Sequence, residues 1–173
     1  MPQLRDPNFR RTVVLLLHHD DEGTFGVVLN RPTEITAVGL CASLDVDWCG
    51  APDKSIGWGG PVQPQTGWLL FGDDLSIGTR DEIKHVVEGV HFAGSFDVLR
   101  KVAKSPPDNL RMLLGYAGWG PGQLESELAE GAWLVVPVSA EVVFEVEASV
   151  MWEHVLRSLG VEPSTLIASR GVH

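Results

Sequence analysis

The chain has 173 residues, 44% hydrophobic and 21% charged, a composition that supports one globular domain spanning residues 1–173 and excludes intrinsic disorder. Thirteen Lys and Arg stand against 23 Asp and Glu, a formal charge of −10, which leaves little to neutralise a phosphate backbone and argues against direct DNA or RNA binding. No apolar run is long enough to span a bilayer, no secretory leader is visible, and Cys41 and Cys49 have no C-x-x-C spacing; the expectation is a cytoplasmic protein with no membrane contact and free thiols.

In chain order, residues 1–9 read as an extended or turning lead-in, restricted at Asp6-Pro7. Residues 12–17 are a dense β-branched and leucine run that predicts a strand buried on both faces. Residues 25–29 predict its hairpin partner across Asp20-Asp21-Glu22-Gly23, and Asn30-Arg31-Pro32 stops that strand. Thr36 can cap a helix running to about Leu44 that holds Cys41 as a small buried hydrophobe. Residues 49–55 read as loop, 56–58 as a short strand ending in Gly59-Gly60-Pro61, and 67–71 as a strand after the turn Gln63-Pro64-Gln65-Thr66.

Thr79-Arg80-Asp81-Glu82 has capping-box spacing, but clustered valines around Glu88-Gly89 favour a hairpin of residues 83–87 and 90–92. Ser95 caps a helix with Phe96, Leu99 and Ala103 at helical spacing, ended by Ser105-Pro106-Pro107. Residues 110–115 predict a strand, followed by a glycine-rich loop and a helix from Gln123 to about Ala129. A strand at 132–136, a short helix from Ser139 to Phe144, and a helix at 149–159 with an apolar stripe of Trp152, Val155, Leu156 and Leu159 complete the chain. Strands and helices mix without strict βαβ alternation, which predicts an α+β domain with a mixed, largely antiparallel sheet.

Local signatures of catalysis are missing. The glycine loop lacks the Lys-Ser/Thr ending of a P-loop and the spacing of a dinucleotide fingerprint, and Glu125 and Glu127 at the helix start would repel a phosphate. The six histidines form no metal-ligand pair on a helix, no G-x-S-x-G elbow is present, and no cofactor is implied. Arg31 follows a buried strand and precedes a rigid proline. An arginine so fixed suits bidentate capture of a carboxylate, from a ligand or from the protein itself, with Asp6 the internal candidate. Arg10-Arg11 and Arg100-Lys101 are the densest basic pairs, and neither extends into a patch along the sequence.

Five segments together resemble the YqgE/AlgH family of bacterial proteins: residues 6–14 (D-P-N-F-R-R-T-V-V), 26–32 (G-V-V-L-N-R-P), 59–62 (G-G-P-V), 114–125 (L-G-Y-A-G-W-G-P-G-Q-L-E) and 132–134 (A-W-L). The order and spacing agree over nearly the whole chain, and the glycine-tryptophan motif is highly specific. The resemblance implies a compact α+β domain whose sheet curls toward a small barrel flanked by helices. It implies no established enzyme activity; members are commonly labelled uncharacterised or transcriptional regulators. Members also carry an apolar strand ahead of the position of Met1; either the start is truncated here or this member lacks that strand, which would leave a sheet edge unpaired.

Two functions follow as expectations. The first is a non-enzymatic binding or regulatory module with one groove built from the corners at Asn30-Arg31, Gly59-Gly60 and Tyr116–Gln123, holding a peptide, a protein or a small polar ligand. Arg31 would pair with an acidic group, Tyr116 and Trp119 would form the apolar wall, and Asn30 and Gln123 would orient the ligand. The second is a hydrolase or transferase of a small polar metabolite in the same groove.

Overall fold

The computed structural model describes residues 6–73 and 77–168, the side chains of 167 and 168 excepted. A 3-10 turn at Pro7–Phe9 leads into β1 (Val14–Asp20), β2 (Gly23–Val28), β3 (Pro32–Thr36), α1 (Ala37–Ser43), β4 (Ser55–Trp58) and β5 (Val62–Phe71). Then come β6 (Lys84–Val87), β7 (Val90–Ala93), α2 (Phe96–Lys104), β8 (Leu110–Trp119), α3 (Gln123–Ala129), α4 (Ala140–Phe144), α5 (Ala148–Ser158) and α6 (Pro163–Ala168). The sheet runs β1-β2-β8-β5-β7-β6, with β4 joining β3 to β8, and it curls into a nearly closed barrel. Its pairings are antiparallel except β4 with β8, which is parallel.

Helices start where their caps predict. Thr36 accepts from the Gly39 N–H, Ser95 from Asp97 and Val98, and Ser139 from Val142. The capping-box residues Thr79 and Glu82 bond as the motif requires (Thr79 N to Glu82 Oε2, 3.1 Å), yet no helix follows, because the valines of β6 are drawn into the hairpin with β7. Both cysteines are free, Cys41 buried and Cys49 exposed.

Three expectations need correction. Strand β1 is not buried on both faces. It is an edge strand whose Leu16 is 39% exposed. Strand β2 does stop ahead of Asn30-Arg31-Pro32, at Val28, and a new strand, β3, begins at Pro32 and pairs with β4. Residues 132–136 form no strand. They have no ladder partner among the described residues and are anchored by Trp133 Nε1 to Glu127 Oε2 at 2.7 Å. An apolar cavity of about 290 Å³ separates this segment from the outer edge of β1. Finally, residues 116–119 are not loop but the end of the ten-residue strand β8.

The glycines of that motif serve the fold. Strand β4 lies beside β8 at Gly57 and Trp58, and β5 lies on the other side of β8. The intervening Gly59-Gly60-Pro61 must therefore cross over β8. A Cβ on Gly60 would lie 2.1 Å from the Tyr116 carbonyl carbon, and one on Gly115 would lie 2.2 Å from the Gly60 oxygen. Only glycine on both chains permits backbone to pass this close to backbone. Gly115 sits at φ 76° and inverts the side-chain alternation of β8. Leu113 and Tyr116 join the interior cluster with Leu15, Val27, Leu70 and Phe92, while Ala117 and Trp119 join an outer cluster with Leu124. A third cluster, including Ile56, Phe71, Val98 and Met112, packs α1 and α2 on the sheet.

Candidate functional site

At the start of β1 the chain makes a tight corner. Asp6 Oδ1 accepts from the Asn8 N–H (2.9 Å), and Thr12 Oγ1 donates to the Phe9 carbonyl (2.9 Å). Arg11 sits at φ 54°, a conformation costly for a residue with a side chain. Asn30 holds it there: its Oδ1 accepts from the Val13 N–H and its Nδ2 donates to the Arg11 carbonyl, both at 2.8 Å. Arg31 donates from Nη2 to the Arg10 carbonyl at 2.5 Å. The guanidinium of Arg11 lies 5.1 Å from the ring centroid of Trp152, on α5.

These contacts gather Arg10, Arg11 and Arg31 around an open depression of about 480 Å³, completed by Asn30, Ala148 and Ser149. Ala148 and Ser149 open α5, whose N-cap Glu147 makes no side-chain capping bond. The ion pairs among the described residues involve none of the three arginines. Asp6, the internal candidate for Arg31, is instead spent on the 3-10 turn. Arginines without a carboxylate partner among the described residues, beside a helix N-terminus, make a surface suited to a carboxylate or phosphate. Among the lining residues only Ser149 carries a nucleophilic atom, and none is a base.

The seven residues expected to share a groove do not line one cavity. Asn30 and Arg31 belong to this corner, with Asn30 positioning it. Gly59 and Gly60 are buried in the crossing over β8. Tyr116 and Trp119 line a different cavity, at the β1–β2 turn. Trp119 is only 7% exposed, and its Nε1 donates to Glu127 Oε2 at 3.0 Å. Gln123 is spent locally, accepting from the Gly120 N–H at 3.0 Å and donating to Glu127 Oε1 at 2.9 Å. The backbones of the corners do meet, Gly60 against Tyr116 and the Trp58 N–H on the Arg31 carbonyl at 2.7 Å. They open no common cavity, because crossing β8 consumes the glycines and Glu127 consumes the ends of the motif. Sequence reasoning missed Arg10 and Arg11 as partners of Arg31; about twenty residues separate them in the chain, and only the β1–β2 hairpin brings them together.

A sequence model described as AlgH-like matches residues 1–164. The chain belongs to the AlgH-like family. Among AlgH-like relatives it is 42% identical to a UPF0301 protein of Myxococcus xanthus, covering all of this chain and 94% of that one. It is 38% identical to a UPF0301 protein of Laribacter hongkongensis, covering 99% and 92%. The solution structure of AlgH from Pseudomonas aeruginosa superposes with a TM-score of 0.78 at 32% identity, covering all of this chain and 92% of that chain. These names carry no activity. Among the described residues, no helix is long and apolar enough to cross a membrane.

Proposed function

We propose that this protein is a non-enzymatic, regulatory binding module of the cytoplasm that grips an anionic group of a peptide or small polar ligand at the arginine corner. One observation carries the reading: Arg10, Arg11 and Arg31 line one depression, and among the described residues none has a carboxylate partner, in a chain whose formal charge is −10. An acidic protein that leaves three guanidinium groups together and unneutralised has a local field suited to an anion. The lack of a base among the lining residues favours holding over reacting. Net charge still opposes a nucleic acid, whose long array of phosphates would meet repulsion beyond the corner.

The test is an amide NMR titration with inorganic phosphate and, separately, succinate. Saturable shifts centred on Arg11, Arg31 and Ser149 are expected. Arg11→Ala and Arg31→Ala should each weaken binding about tenfold, the loss of roughly one charge-assisted hydrogen bond. Absence of saturable shifts with both anions, or unchanged affinity in the double variant, refutes the reading.

A further inference from the structure

The other end of the β1–β2 hairpin opens on a second cavity, of about 700 Å³. Its floor is aromatic: Phe25 of β2, Trp68 of β5 and Tyr116 of β8. Ring centroids are 5.6 Å apart for Phe25 and Trp68, 6.0 Å for Phe25 and Tyr116, and 6.2 Å for Trp68 and Tyr116. Tyr116 stands at 73° to Phe25 and 85° to Trp68, so the rings form floor and wall rather than a flat stack. Phe92 supports both Phe25 and Trp68 from within the barrel. Trp68 Nε1 is buried without a partner among the described residues, so ring packing rather than its N–H places this indole.

The rim is acidic. Asp20 and Glu22, from the hairpin turn, line the cavity, and among the described residues no Lys or Arg does. Asp20 is held in place by the N–H groups of Glu22 (2.9 Å) and Gly23 (3.2 Å) and by His18 Nε2 (2.6 Å). The Glu22 N–H first, then the His18 bond, hold its carboxyl below the ordinary value, so it is anionic at neutral pH. Gln63, at φ 43°, and Thr66 form the opposite lip, where β5 bulges out of its ladder with β8 between Val62 and Gly67.

Because His18 stacks on Phe25 (centroids 5.8 Å apart), we propose that this mouth binds an organic cation, an alkylammonium or guanidinium group, against the faces of Trp68 and Tyr116, with Asp20 and Glu22 as counter-ions. Aromatic faces carry the negative part of the ring quadrupole and attract a cation that water has partly left. The two carboxylates add long-range attraction of the same sign, while an anionic ligand would meet only repulsion. The site is separate from the arginine corner, and the inference does not rest on it.

The probes are choline, N-acetylarginine amide and the neutral isostere 3,3-dimethylbutan-1-ol, followed by NMR at the Trp68 indole and the Tyr116 ring. Saturable shifts with at least one cation are expected, with the neutral isostere about tenfold weaker, the scale of a partly desolvated cation–π contact plus counter-charge. A preference for choline assigns a free alkylammonium. A preference for the arginine amide assigns a guanidinium, as a partner's side chain would supply. Glu22→Gln, an exposed change that leaves the rings intact, should weaken the cation severalfold and leave the isostere unaffected, and Tyr116→Leu should weaken the cation further. Equal affinity for choline and its isostere would mean a merely apolar cavity and overturns the proposal, as does a lack of saturable shift with either cation.

Discussion

Replacing Glu127 by glutamine should destabilise the fold by more than an exposed helical position would suggest. The carboxylate accepts three hydrogen bonds, from Trp133 Nε1 at 2.7 Å, Gln123 Nε2 at 2.9 Å and Trp119 Nε1 at 3.0 Å. Both indoles share Oε2, and Gln123 uses Oε1. A glutamine carbonyl could still accept from the indoles, but as a neutral acceptor. Its amide nitrogen would then meet that of Gln123, which cannot turn because its own oxygen holds the Gly120 N–H. Charge assistance lost from two bonds and one bond lost outright come to about 2–3 kcal/mol. For a chain of this size that corresponds to a Tm about 4–12 °C lower, read by calorimetry or circular dichroism at pH 7. A drop smaller than about 2 °C, with the near-ultraviolet spectrum of the tryptophans unchanged, would refute the view that Glu127 ties the motif and the 132–138 segment to α3.

Gly60→Ala should be far more damaging, because the new Cβ falls 2.1 Å from the Tyr116 backbone at φ 152°; a loss above about 4 kcal/mol, seen as insolubility or a collapsed Tm, is expected, and a soluble variant with near-native Tm would remove the crossing argument. Asn30→Ala removes two bonds of 2.8 Å that hold the Arg11 corner, so it should cost about 1–2 kcal/mol and also weaken phosphate binding in the amide titration; intact binding would show that the corner does not depend on this clamp. Acid should destabilise the protein in a defined window. Burial works against the charge of Glu127, but the bonds from Trp133, Gln123 and Trp119 outweigh it and lower the carboxyl below its ordinary value of 4.5. Its contribution is therefore complete above that pH and is lost as pH falls through the lower folded value. Tm measured from pH 7 to pH 3 should fall more steeply in the wild type than in Glu127→Gln, and parallel curves would contradict the assignment.

Legibility in the sequence followed the range of the interaction. Caps and stops are local, so Thr36, Ser95 and Ser139 could be read directly, and so could the hairpin at Glu88-Gly89. The failures were places where a distant backbone decides. Nothing near Gly115 states that another segment crosses it, so the chain after residue 115 read as loop, when Gly115 is the condition for β8 to continue to Trp119. Ala132-Trp133-Leu134 has strand composition, but pairing needs a partner, and Trp133 is tethered to α3 instead. The aromatic floor drew on residues 25, 68 and 116, of which only Tyr116 stood in a conspicuous motif. Arg31 was suspected as an anion binder on local grounds, whereas its companions at 10 and 11 became visible only with the hairpin in place.

The hairpin also explains why one groove became two sites. β1 and β2 run from the arginine corner, at Arg11 and Asn30, to the acidic turn at Asp20 and Glu22. Seven residues of β1 at about 3.3 Å each put the two ends roughly 20 Å apart. That exceeds the Debye length of about 8 Å at physiological salt, so neither charge cluster quenches the other. Folding β1 against β2 thus separates charges of opposite sign that an unfolded chain would mix. A ligand with one anionic group has no reason to visit the acidic mouth, and a cation has none to visit the corner. Binding at the two ends should therefore be additive: saturating one with phosphate should leave the affinity of the other for choline unchanged. Strong coupling between them would mean that the hairpin transmits strain along its length, through the bulge between Leu16 and His18, and that the electrostatic picture of two independent ends is wrong.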